Sequence, residues 1–284
     1  MRELFLAVPK DERRAKLREY GDYLIERDGE LDIATRRLSK RETTIAKHEA
    51  KPAVTAQMDE ALFRRMYAKF DKNEQLSKEM LLLLSLVKVN SAEAYGVERN
   101  FQSVLAKAGR AEDDALLRIL CEETYHTRIL LSAGNHYGIT VDQPYRPPSV
   151  LRILINGIAS TPELIALPLT LAGEIIATLM FTKLLILAPS VLAHAPEIRD
   201  AVEERLCEIC TDEHGHISYN RLHAGAADFA ELRMILPITA RVMRNVFPEM
   251  VALGAYPMKI WDELPLIADP KLIPGVVRRQ AFLA

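Results

Sequence analysis

Apolar residues recur at helical spacing through most of this chain, and no stretch keeps a sustained period of two, so the sequence predicts an all-α protein. From Asn73 to about Lys107 the pattern reads as one long helix, with Leu86, Val89, Asn90, Glu93, Gly96, Val97, Asn100 and Val104 on one face. Glu93 is the polar intruder on that stripe. Gly109 supplies a left-handed helix end, and Glu112-Asp113-Asp114 gives the next helix an acidic first turn. This second helix carries Leu116, Ile119, Leu120, Glu123, His126 and Leu130 inward.

The segment from Asp142 through Pro144 to Pro147-Pro148 reads as a linker, and Ser149 to Ile158 as a short helix. Thr161-Pro162-Glu163 is a start signal for a third long helix, with Thr170, Glu174, Ala177, Thr178 and Phe181 on one face and a kink expected at Pro168. Pro189 to Pro196 is the next break. Glu197 then opens a fourth helix with Val202, Leu206, Ile209, Cys210, Glu213, His216 and Asn220 inward. A fifth runs from about Ala227 to Asn245, and a tail with Trp261, Pro265, Pro270 and Pro274 reads as irregular, wrapping the bundle or contributing to an oligomer contact, such as a homodimer's. Residues 1–72 read as several short amphipathic helices, with His48 at the surface. The expected organisation is an N-terminal helical extension over 1–72, a bundle over 73–225, and a C-terminal helix and tail over 226–284 packed in the same domain.

Composition narrows the function classes. A chain of 284 residues with 49% hydrophobic content can bury a large core. A net charge of -2 gives no sign of nucleic-acid binding, and a small-molecule substrate fits better. Cys121, Cys207 and Cys210 suit buried free thiols in a reducing cytoplasm rather than a disulfide framework. Leu164 to Thr182 is apolar enough to imitate a membrane span, but Glu174 sits near its middle. A helix apolar all round also suits the centre of a soluble bundle, and a metal-ligand role for Glu174 explains its charge without a membrane.

The candidate chemistry lies in two near copies of one pattern, Glu122-Glu123-Thr124-Tyr125-His126 and Asp212-Glu213-His214-Gly215-His216. A Glu and a His three apart share a helix face, so each copy aims a carboxylate and an imidazole at one spot. With 39 Asp plus Glu and 7 His, the pattern acid-Glu-x-x-His is expected by chance about 0.1 times. Two copies, both within apolar stripes, are harder to dismiss than one.

Register adds a lone carboxylate to each. Glu93 and Glu123 both lie roughly 20 Å from the turn between their helices at 1.5 Å per residue, and Glu174 and Glu213 are likewise level about their own break. Glu98, the nearest rival, falls about 7 Å closer to the turn. Glu93, Glu123, His126, Glu174, Glu213 and His216 therefore make a six-ligand set suited to iron or manganese, Fe/Fe or Mn/Fe. Glu122 and Asp212 are placed to orient the imidazoles through the ring N–H. Thr178, one turn after Glu174, is a candidate catalytic hydroxyl; Asn90 and Gly96 flank Glu93 as candidate pocket residues. His214 points away from His216, His223 lies two turns beyond it, and His136 and His194 fall near helix ends, where solvent contact or capping is expected.

This ligand set resembles that of the ferritin-like di-iron oxygenases, most of all the para-aminobenzoate N-oxygenase family. The resemblance covers about residues 73 to 225 and rests on the two motifs and the hairpins around them. It implies a ferritin-like four-helix bundle, two iron ions, and dioxygen-dependent oxidation of an amine with an external electron donor. Other ferritin-like chemistry, as in hydroxylases, desaturases, oxidases or iron-storage and rubrerythrin-type proteins, shares the ligand set. One turn before the final Glu, where that family is expected to carry a further His, this chain has Ile209: a plain six-ligand site, or a neighbouring branch with different chemistry. Leu130 stands where radical-generating reductase subunits place a tyrosine.

Overall fold

Local capping chemistry sets several helix starts. The Asp59 carboxylate accepts from the Leu62 amide and the Ser77 hydroxyl from the Met80 amide, each satisfying a backbone donor that a helix N-terminus leaves unpaired. The computed structural model describes residues 3–50, 56–107, 111–159 and 163–284. The expectations at Gly109 and Thr161-Pro162 lie outside the described residues, as do the side chains of Asn100, Glu112, Asp113 and Glu163.

The chain is predominantly helical. In order come α1 (Lys10–Asp28), a minimal antiparallel pair β1 (Leu31–Asp32) and β2 (Arg37–Leu38), α2 (Ser39–Glu49), α3 (Glu60–Ala68), α4 (Lys78–Val89), α5 (Ser91–Lys107) and α6 (Ala111–Leu131). They are followed by α7 (Ser149–Ala159), α8 (Glu163–Val191), α9 (Pro196–His223), α10 (Ala226–Met243), α11 (Pro248–Leu253), α12 (Ile260–Glu263), α13 (Pro265–Ala268) and α14 (Gly275–Gln280). Gly29, at φ 79°, turns the end of α1 into the β pair. A Cβ there would meet the Ser39 hydroxyl at 2.3 Å, so no other residue fits without movement.

Helix α5 packs along α6 and α8 along α9, while α1 lies against both α6 and α9 and α10 against α8. One continuous apolar core draws residues from Leu4 and Phe5, through all the long helices from α4 to α10, to Val277. A smaller cluster joins Tyr20 and Leu24 of α1 to Ala115, Ile119 and Tyr219. The N-terminal layer is thus seated directly over the helices that carry the two motifs.

The structure departs from the sequence reading in four places. The helix expected over 73–107 is two, α4 and α5, joined at Asn90, whose ψ of 9° leaves the helical range. Pro189 does not end α8, which continues to Val191 with both Pro168 and Pro189 inside it. A proline this close to a helix end withdraws a donor from the last turn only. The C-terminal tail is not irregular but holds the four short helices α11 to α14. The β pair, two residues to a strand, is too short to leave a periodic mark. Among the described residues, two stretches, Lys78–Glu98 and Ala166–Val191, are long and apolar enough to cross a membrane; 72% of the 18-residue apolar window in each is buried within the fold.

Candidate metal centre

Both motif helices turn their Glu and His to the same point between them. On α6, Glu123 and His126 follow one another at helical spacing, and His126 Nδ1 stands 3.3 Å from both Glu123 Oε2 and Glu213 Oε1. On α9, His216 Nδ1 stands 2.9 Å from Glu123 Oε1 and 3.8 Å from Glu174 Oε2. Glu123, Glu174, Glu213 and His216 each offer one ligand atom, and these atoms all lie within 4.8 Å of one another. The two imidazole rings are 5.8 Å apart between centroids. Glu93 of α5 is near enough to feel the charges of Glu123, Glu213, Glu174 and His126, but neither it nor His126 belongs to that group of four.

The outward nitrogens are braced crosswise. His126 of α6 donates from Nε2 to Asp212 Oδ2 of α9 at 3.0 Å, and His216 of α9 donates from Nε2 to Glu122 Oε2 of α6 at 2.9 Å. Each motif supplies the acid that orients the other motif's histidine. A metal at the cluster would take the Nδ1 lone pair of each ring while the proton stays on Nε2.

The inward atoms lack partners. Glu93 Oε2, Glu123 Oε1, Glu174 Oε2, both oxygens of Glu213 and His216 Nδ1 are buried without a hydrogen bond. His216 Nδ1 and Glu123 Oε1 are 2.9 Å apart, so the two inward atoms converge on one point. Buried acceptors left in this way cost free energy unless a cation or water meets them. The set of hard oxygens with two imidazoles fits iron or manganese.

Electrostatics point the same way. Burial, then the neighbouring Glu123, raises the Glu93 and Glu213 carboxyls above their ordinary range; burial and Glu213 do so for Glu174. Burial would also raise Glu123, but His126 beside it wins and brings it to about 2. His126 and His216 are disfavoured as cations by burial, yet Glu123 with Asp212, and Glu122 with Glu123, raise both well above the imidazole norm. The cluster therefore draws positive charge, as protons or as metal.

The remaining sequence candidates are placed as follows. Thr178 is buried, but its hydroxyl donates to the Glu174 carbonyl at 2.7 Å, which occupies it within its own helix instead of presenting it to the cluster. The Asn90 amide donates to the Glu123 carbonyl at 3.0 Å and to the Thr127 hydroxyl at 2.9 Å, tying the α4–α5 junction to α6. Gly96 faces α7, where a Cβ would sit 3.8 Å from Ile155 Cγ2. His48 and His136, expected near solvent, are buried. His194 is exposed and pairs with Glu79; buried His214 donates from Nδ1 to the Cys210 carbonyl, and the His223 ring lies against Tyr219.

The sequence reading missed Arg27 and Arg41. Both reach Asp212, and Arg41 also bonds Glu208 one turn earlier on α9. No local spacing marks them, because they lie among the many charged residues of α1 and α2.

No protein-family model matches this sequence, and no curated protein or solved structure matches it. The functional reading therefore rests on the geometry of the chain itself.

Proposed function

We propose that this chain is a non-haem di-iron oxygenase of ferritin-like architecture, an enzyme that uses dioxygen to oxidise a small organic substrate. The observation that carries the reading is the pair of crossed acid–histidine braces around carboxylate oxygens that have no partner of their own. The motif resemblance adds the narrower expectation of an amine as substrate and N-oxygenation as the reaction. Two iron ions, or a Mn/Fe pair, would be held by Glu93, Glu123, His126, Glu174, Glu213 and His216 and would supply the electrons for dioxygen reduction, replenished by an external donor.

The residues' own contributions follow from their positions. Glu122 and Asp212 keep each imidazole in one tautomer and one orientation. The four carboxylates offset the charge of two divalent ions. His126, His216 and Glu213 are wholly enclosed, whereas the Glu174 side chain keeps 13% of its surface exposed and Glu93 is half-buried. The less enclosed side of the cluster is thus that of the two single glutamates, where α7 lies across α5 and α8.

Elemental analysis of protein expressed with added iron tests the reading. About two iron ions per chain are expected, and loss of both in His126→Ala and His216→Ala. Wild-type protein without metal would overturn it. Iron far beyond that ratio in a cage-sized assembly would mark storage instead, and an amine panel under dioxygen with a reductant separates N-oxygenation from other oxidations.

A further inference from the structure

Asp212 is held by the N-terminal layer. Its Oδ1 accepts from Arg27 Nε of α1 at 2.8 Å, and its Oδ2 accepts from Arg41 Nη2 of α2 as well as from His126 Nε2 at 3.0 Å. The arginines are fixed in turn. Arg27 Nη2 and Arg41 Nη1 share Glu208 Oε1, and Arg41 Nε stands 3.4 Å from Asp28 Oδ1. Arg41 and Asp212 are both buried, and Glu208 and Asp212 lie one turn apart on the same side of α9.

The other brace has no such support. Glu122 Oε2 accepts from His216 at 2.9 Å, but Glu122 Oε1 has no hydrogen bond, and the nearest guanidinium atom, Arg41 Nη2, is 3.9 Å away. A carboxylate bonded on both oxygens by two guanidinium groups cannot swing about its own axis; one bonded on a single oxygen can. The two histidines therefore differ in how firmly they are held, although their motifs look alike in sequence.

We propose that Arg27 and Arg41 are positioning residues for the His126 half of the centre, and that the N-terminal layer makes this half the position that fills first. This rests on the di-metal reading above and adds what that reading leaves open: the order of filling and the part of the chain that sets it. The arginines touch no candidate ligand directly. They act through Asp212, which fixes the His126 ring and so the direction of its Nδ1.

Anaerobic titration of the full-length, metal-free protein with Fe(II) tests the proposal, following the tighter and the weaker equivalent separately. Arg27→Gln is expected to weaken the tighter equivalent by about 10- to 100-fold and to leave the weaker one nearly unchanged. Glu122→Gln is expected to act on the weaker one. Arg41→Gln strands buried acids and can fail to fold, so Arg41→Lys, which keeps the charge but loses the fork, replaces it, and far-ultraviolet circular dichroism of each metal-free variant controls for folding.

A double-mutant cycle supplies the readout that a merely structural role would not move: Arg27→Gln placed on Asp212→Asn should cause no further loss of affinity. Wild type that binds two ions, with Arg27→Gln binding both as tightly, overturns the proposal while leaving the di-metal reading intact. Additive losses in the cycle overturn it as well. Wild type that binds no iron overturns both.

Discussion

Helices α6 and α9 differ from α5 and α8 in what they bring to the centre. Each of the first pair contributes a Glu, a His and an acid that orients the opposite histidine, and the side chains of His126, Glu213 and His216 are fully enclosed. Each of the second pair contributes one carboxylate, Glu93 or Glu174, and neither is fully enclosed. One side of the centre is built to hold position and the other to remain accessible. The crossed braces run between α6 and α9 alone, so they do not depend on α5 or α8.

Substitutions on the two sides should have different signatures. The largest effect is expected from Glu213→Ala, which removes a buried carboxylate with no hydrogen bond on either oxygen and should abolish metal retention. If elemental analysis finds that Glu93→Ala and Glu213→Ala lose metal equally, the contrast between the sides is wrong. On the accessible side, Gly96→Leu places a side chain against Ile155 of α7 and is expected to raise KM about tenfold with metal content unchanged. A fall in kcat without a change in KM would place the substrate elsewhere.

A third contrast lies between histidines. Those of the centre are raised, whereas His48 and His136 are each lowered to about 4 by burial and then by Arg205. For these two, the unfolded chain binds more protons than the folded one between about pH 6.5 and 4. Stability from them is therefore complete above about pH 6.5 and is lost progressively as pH falls towards 4. Urea midpoints of the metal-free protein at pH 7 and 5 measure this, and His48→Gln should reduce the difference; an unchanged difference would refute the assignment to His48. The smallest effect is expected for Asn90→Ala, which loses the ties to Glu123 and Thr127 at about 1 kcal/mol, visible in the same unfolding curves.

Much of this was legible from spacing. An interval of three residues says which side chains share a helix face, and hairpin register says which faces share a level, so Glu93, Glu174 and the two motifs could be named together. Spacing does not say what a polar atom does once it arrives. Thr178 has the position of a pocket hydroxyl but bonds its own helix, and Asn90 has the position of a pocket amide but ties two helices together. Both outcomes depend on backbone carbonyls that every sequence offers alike. Nor does a single Asn announce a helix junction, since its cost inside a helix is small. Arg27 and Arg41 were hidden for a different reason: their meaning depends on Asp212, far away in sequence.

That separation has a consequence for assembly. Arg27 and Asp212 are 185 residues apart along the chain, so their contact closes a loop of most of the molecule. Contacts of such long range form late, after the local helices and hairpins that bring them together. During synthesis, α6 with Glu123 and His126 is complete long before α9 emerges, and a half-made centre offers only part of its ligands. If the centre holds metal as proposed, its full ligand set is therefore assembled only in chains that have already folded.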